Sequence, residues 1–229
     1  ARYKPLVAAK ALESAEKTTF SILHIPSSMW KIGSIQFFSW SAFFLIWVYM
    51  TPAVAQQYYQ EYNHGSSSLA YAEAANQTGI LFGIYHLSAC IVSLFLPFIY
   101  KKLNLINSHN IALLAGSIGL IWIFLAQDIN NLLFPMLLLG IAWASVLATP
   151  FVILSKHIPK NKIGLYFGLF NLFITAPQIL NGLLSGYIIK EVFDNNAIYA
   201  LLIAAASLFI AACLGIYFKN DLTRRSSNF

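Results

Sequence analysis

The sequence predicts an all-α membrane protein of six spanning helices, and three observations carry that expectation. Hydrophobic residues fill 59% of the 229 positions and charged residues only 10%; a soluble domain carries about 25% charged residues. Six apolar stretches run over 32–55, 78–100, 111–127, 132–155, 163–189 and 197–218. Each approaches the roughly 20 residues needed to cross a hydrocarbon core, the third barely, and the fifth is long enough to tilt. The cations then fall on alternate turns. With the first stretch starting inside, Arg2, Lys4, Lys10, Lys17 and Lys31 lie inside, joined by Lys101 and Lys102, by Lys156, Lys160 and Lys162, and by Lys219, Arg224 and Arg225. Lys190 alone lies outside. This is the positive-inside asymmetry, and it places both termini in the cytoplasm of a cell-membrane protein.

The elements follow in order. Residues 1–31 are expected to form a cytoplasmic linker with one short helix over 5–17, where Ala, Glu and Lys favour helix. Because the chain opens at Ala1 with this polar stretch, it is expected to be a piece of a longer protein. The bundle occupies 32–218 and a cytoplasmic tail 219–229. Residues 56–77 contain no Lys or Arg, and Gly65 is followed by three serines, so this run is expected to be an external loop. The remaining turns are short, which makes consecutive helices antiparallel neighbours. Strands of a β-barrel would be about ten residues long with alternating polarity, a pattern the six stretches do not have.

The net charge of +6 does not point to nucleic acid. The cations sit in turns beside anionic lipid headgroups, with no basic helix face or stacking platform. Cys90 and Cys213 lie inside spans and read as small apolar residues. No metal or cofactor site is expected.

The helices repeat in character. The first and fourth carry intramembrane Trp and a distal Pro: Trp40, Trp47 and Pro52, then Trp143 and Pro150. The second and fifth carry stripes of small and polar residues. The third and sixth are expected to hold no buried amide, His or charge. An A-B-C, A-B-C order of three helices inserts the two copies in opposite senses, the plan of many secondary transporters.

In the fifth stretch, Gly164, Gly168, Asn171, Thr175, Gln178, Gly182 and Ser185 recur at steps of four and three, with Asn181 adjacent. Such steps share one helical face. Carboxamides are costly in hydrocarbon unless paired or watered, so this face meets either a neighbouring helix, as hydrogen-bonded glue, or a water-filled cavity. Pro177 removes an intrahelical bond and allows bending. The second stretch repeats the rhythm through Gly79, Gly83, His86, Cys90, Ser93 and Pro97. His86 reads either as a neutral, satisfied imidazole or as a ligand-binding or protonatable group. In the first stretch Gln36 shares a face with Trp40 and Trp47. Deep Trp residues either pack or stack on a flat ligand such as a sugar ring, and Trp143 makes the same case in the fourth. No Asp or Glu lies in the apolar stretches, and no nucleophile–base pair or phosphate loop is present, so no enzyme activity is expected.

Three segments resemble a known family. QFFSWSAFFLIWVYMTPAVA at 36–55 resembles the seventh helix of major facilitator superfamily sugar transporters, in the branch of glycoside–pentoside–hexuronide carriers and sucrose–proton symporters. GIAWASVLATPFVILS at 140–155 is similar to their tenth helix. PKNKIGLYFGLFNLFITAPQIL at 159–180 is similar to their eleventh, whose G-x-x-x-G-x-x-N-x-x-x-x-x-P-Q pattern is met by Gly164, Gly168, Asn171, Pro177 and Gln178. The resemblance covers nearly all of 36–218. It implies the C-terminal half of a twelve-helix transporter working by alternating access, with a missing N-terminal six-helix half as partner. Helices seven, eight, ten and eleven would line the cavity. The acidic–basic signature expected after helix eight is degenerate here, where Lys101, Lys102 and Asn104 stand without the Asp.

On this reading a sugar is the substrate and the full-length protein is proton-coupled. Gln36, His86, Asn171, Thr175 and Gln178 would bind hydroxyls; Trp40, Trp47 and Trp143 would stack or gate; Pro52, Pro150 and Pro177 would bend. The rivals are an exporter of an amphipathic metabolite or drug, and a membrane scaffold or sensor that transports nothing.

Overall fold

The structure is a computed structural model describing residues 25–60 and 68–223. These form α1 (Ser27–Tyr59), α2 (Leu69–Leu103), α3 (Leu105–Leu125), α4 (Leu133–Ser155), α5 (Ile163–Phe170), α6 (Leu172–Val192), α7 (Ile198–Tyr217) and α8 (Lys219–Thr223), with 3-10 turns at Ile129–Leu132 and Lys160–Lys162. Six of the described segments are long and apolar enough to cross a membrane, α5 and α6 together making the fifth. The expected helix at 5–17 and residues 61–67 of the external loop lie outside the described residues.

Two element boundaries need correction. The external loop expected over 56–77 is shorter, because α1 runs on to Tyr59 and α2 begins at Leu69. Ser68 caps α2, its hydroxyl accepting the Tyr71 N–H at 3.0 Å. Glu73 therefore stands in a helix and not in a loop. Hydropathy reports the hydrocarbon-facing part of a helix, whereas the helix itself continues until a capping residue stops it. The second correction is at α3, which starts six residues before the apolar stretch does. Asn104 both ends α2 and starts α3. Its φ of 59° reverses the chain in one residue, and its side-chain oxygen accepts the Asn107 N–H at 3.0 Å. His109 and Asn110 thus enter the helix and are buried, against the expectation that the third span holds no buried His or amide.

The inverted repeat is visible in the packing. The broad contacts of α1 on α7 and of α3 on α4 are counterparts when the first three spans are mapped on to the last three. Likewise α2 packs on α4 as α6 packs on α1. Such packing in a bilayer depends on close approach, and glycines provide it. A Cβ on Gly140 would stand 2.5 Å from the Ser88 Cβ and from the Tyr85 carbonyl oxygen, and one on Gly33 would strike the Phe173 ring. The mapping breaks at one place: α1 packs on α2, but α4 has little contact with the fifth span. As a result the fifth span is the least covered, with 17% of its central window buried against 56–61% for the third, fourth and sixth.

Both ends of the bundle are pinned. Lys31 Nζ bonds Asp221 at 2.6 Å, tying α8 to the start of α1. At the other end the Gln56 amide donates to the Asn195 carbonyl at 3.0 Å and accepts the Ala197 N–H at 2.8 Å, and Tyr58 donates to the Ala126 carbonyl at 3.0 Å. Lys31, Lys101, Lys156 and Lys219 collect at the first end, opposite Lys190.

Candidate functional site

The three deep Trp residues form one cluster. Trp40 and Trp47 stand 5.3 and 5.2 Å from Trp143 and 6.1 Å from each other, all near perpendicular. Phe43 lies 4.7 Å from Trp143, and Tyr85 is 6.3 Å from both Phe43 and Trp143. Such offset ring pairs are favourable beyond their buried area. Their depth follows from the helices that carry them. Phe43 is the central residue of α1, His86 of α2, and Trp143 is one residue from the centre of α4. The cluster therefore sits at mid-membrane, the depth at which transporters of this plan hold their ligands.

Polar atoms in the cluster are left without partners. Gln36, fully buried one turn from Trp40, donates its amide to the Val146 carbonyl at a long 3.4 Å, and its side-chain oxygen meets no donor. The Trp40 indole N–H also lacks a partner, and the Tyr85 hydroxyl has the Trp47 indole beside it but outside hydrogen-bond geometry. Unsatisfied buried polar atoms are rare in folded proteins and mark places where something else is bound or where structure changes. In this conformation these atoms are buried, so a ligand would reach them only as side chains move.

His86 is adjacent but turned outward. It is exposed, its Nδ1 donates to the Phe82 carbonyl of its own helix at 2.7 Å, and its ring lies 4.2 Å from Tyr85. The fifth span stands apart from the cluster. α6 runs parallel to α1 with a register near 140: Gly33 meets Phe173 and Ser41 meets Asn181. By that register Gln178 lies level with Phe38, between Gln36 and Trp40, whereas Asn171 lies level with Lys31, at the lysine-bearing end. The stripe also changes character along its length. Gly164 and Gly168 have nothing within 4 Å of a built Cβ, and Asn171 and Thr175 are exposed. Gln178 is half-buried and donates to the Ile174 carbonyl of its own helix at 3.0 Å. Asn181 donates to Ser41, 2.8 Å from its hydroxyl and 3.2 Å from its carbonyl, and Tyr49 donates to Ser185 at 3.0 Å. The lower stripe thus opens outward and the upper stripe bonds α1.

Of the prolines, Pro150 and Pro177 are buried and Pro52 is half-buried, each inside a helix. The fifth span is interrupted at Asn171, six residues before Pro177. There the Ile174 N–H donates to the Asn171 carbonyl at 3.1 Å, a 3-10 tightening.

Two features escaped the sequence reading. A seam of rings crosses the lysine-bearing end below the cluster, from Phe151 to Phe170 (5.4 Å), Phe170 to Phe173 (6.1 Å) and Phe173 to Trp30 (5.2 Å). A buried polar chain links three helices: His109 Nδ1 to Ser145 at 2.8 Å, Ser145 to Thr149 at 2.9 Å, and Thr149 to Tyr100 at 2.8 Å. Phe is too common in spans for the first to show in the sequence, and the late start assigned to α3 hid the second.

Six apolar helices in two inverted triplets, with aromatic and amide side chains gathered at mid-depth, define a multi-pass membrane protein of the secondary-transporter class. The family model of the Major Facilitator Superfamily matches residues 2–182. The chain belongs to that superfamily of transporters, whose members are generally not enzymes. No curated protein matches the chain significantly.

Proposed function

We propose that this chain forms one half of a sugar transporter of the cell membrane, with both termini cytoplasmic, proton-coupled when whole. The observation that carries the reading is the mid-depth cluster of Trp40, Trp47 and Trp143 beside the unpartnered Gln36 oxygen and Trp40 N–H. Indole faces suit the apolar face of a pyranose ring. An unpaired acceptor one turn from an unpaired donor suits a hydroxyl, which can serve both. His86, Thr175 and Gln178 would join from the flanking helices, with Asn171 near the mouth. A second six-helix half would cover the open face of α2 and the fifth span, and the seam from Phe151 to Trp30 would close the path at the lysine-bearing end. Pro52, Pro150 and Pro177 would take up the bending.

The test is a tryptophan-fluorescence titration of the full-length protein with sucrose, maltose and glucose. Saturable quenching by one of them that is lost in Trp143→Phe supports the reading. The same response to apolar amines or dyes, with none to sugars, would favour an exporter of amphipathic compounds, a reading helped by the preponderance of rings over amides in the cluster. No response to either class would leave the cluster a packing unit.

A further inference from the structure

A cavity of about 340 Å³ opens at the lysine-bearing end, where α2 gives way to α3 and α4 ends against α8. Its walls are apolar, from Leu105, Ile106, Val152 and Ile153, and its rim carries Lys101 and Lys156. No acidic residue lines it. Among the described residues neither lysine has an ion-pair partner; the ion pairs given by those residues are Lys31–Asp221 at this end and Lys190–Glu191 at the other. Lys101 Nζ instead stands 6.0 Å from the centre of the Phe98 ring. Although consecutive, α2 and α3 barely touch, and Phe95 and Phe98 on α2 and Ile111 on α3 are more than half exposed.

We propose that this cavity binds a phospholipid with an anionic headgroup. The phosphate would lie between Lys101 and Lys156, the glycerol against Val152 and Ile153, and the acyl chains along the exposed apolar residues of α2 and α3. Charge complementarity selects an anion, because two cations share a pocket with no acid. The apolar walls and the exposed apolar residues beside them select an amphiphile over a soluble phosphate, since a free anion would leave those walls uncovered. The site lies where the headgroup layer meets the bundle, and basic pockets between helices there bind acidic headgroups. Tyr100 lines the same cavity and bonds Thr149, so a bound lipid would brace α2 against α4.

The test is native mass spectrometry of the purified protein in neutral detergent with added phosphatidylglycerol or phosphatidylcholine. The expected result is tight retention of phosphatidylglycerol and weak retention of phosphatidylcholine. Each cation close to an anionic group contributes about five-fold, so K101Q/K156Q should weaken phosphatidylglycerol binding about thirty-fold. K160Q/K162Q, on the neighbouring turn outside the cavity, should leave it unchanged. Val152→Trp, which fills the wall and keeps both charges, should weaken it as well. Equal retention of the two lipids would overturn the proposal. So would equal losses in the two lysine pairs, which mean diffuse surface attraction, and displacement of the lipid by inorganic phosphate at the same concentration.

Discussion

The indoles of Trp40 and Trp143 meet at 5.3 Å and 72°, one carried by α1 and the other by α4. These two helices are counterparts in the inverted repeat, so the contact straddles the line that relates the two triplets. Each triplet contributes its Trp-bearing helix to the same mid-depth point. The partners that complete the contact, Gln36 and Phe43, come from α1, and Tyr85 comes from α2. The fifth span, which corresponds to α2, has little contact with α4 and contributes no ring to the cluster.

Gln36 provides the sharpest test of that cluster. Its one hydrogen bond is long, at 3.4 Å, and its oxygen is unpartnered, so it contributes little to stability. Gln36→Leu conserves the volume and removes the unsatisfied acceptor, a change that is nearly neutral or stabilising in a buried site. The melting temperature should therefore hold or rise. Apparent substrate affinity in the full-length protein should fall about five- to thirty-fold, the equivalent of a lost bond of about 1 to 2 kcal/mol. A lower melting temperature with unchanged affinity would assign Gln36 to packing.

Gly140 and Gly79 make a paired prediction about assembly. A Cβ at Gly140 would stand 2.5 Å from the Tyr85 carbonyl oxygen, a backbone atom that cannot rotate away, and as close to Ser88, whose hydroxyl donates to the Leu137 carbonyl at 2.9 Å. Gly140→Ala should push α2 off α4 and cost about 1 to 3 kcal/mol, the usual range for overpacking. Gly79 has open space around it, so Gly79→Ala should be neutral or slightly stabilising through helix propensity. Thermal unfolding in one detergent measures both. Equal shifts would mean that the α2–α4 crossing is looser than described.

The sequence was informative where a physical signal was strong and local. Six spans and the two triplets were legible because hydrocarbon tolerates few charges and the apolar stretches stand apart from the lysine-bearing turns. The three deep Trp residues stood out because indole is unusual at mid-depth, but that they meet one another did not show. What stayed hidden depends on rotation and register. Periodicity put Gly164 through Ser185 on one face, yet only the register of α6 against α1 shows that Ser185 bonds Tyr49 while Asn171 lies out near Lys31. Hydropathy also placed the start of α3 too late, because His109 and Asn110 read as turn residues until Asn104 is seen to cap the helix. The partner of His109, Ser145, sits 36 residues away, beyond any local signal.

That hidden chain predicts an order of stabilities. Ser145 is the partner of the buried His109 Nδ1, and His109 Nε2 has none. Ser145→Ala leaves the imidazole with no protein partner in a buried site and should cost about 1 to 3 kcal/mol. Tyr100→Phe removes the half-buried outer link while Ser145 and Thr149 still bond each other, so it should cost about 1 kcal/mol or less. Melting temperatures should fall further for Ser145→Ala than for Tyr100→Phe. The reverse order would show that His109 finds another partner.

Sidedness gives the last prediction. Ser108, an obvious labelling site from sequence alone, is buried at 6% exposure and donates to the Asn104 carbonyl at 2.6 Å, so a probe there would report burial and not orientation. Lys102, at the end of α2, and Gln127, before the turn at Ile129–Leu132, are both exposed and lie at opposite ends of α3. Cys90 and Cys213 are exposed and free, and both must first be replaced by Ser. In intact cells Gln127→Cys should react with a membrane-impermeant maleimide, and Lys102→Cys should react only after the membrane is opened. The expectation rests on the sequence reading that assigns all the cations but Lys190 to one side, because basic turns resist translocation. Reaction of Lys102→Cys in intact cells with Gln127→Cys protected would invert the topology. It would also move the lysine-lined cavity to the outer leaflet, leaving the ring seam from Phe151 to Trp30 to close the external side.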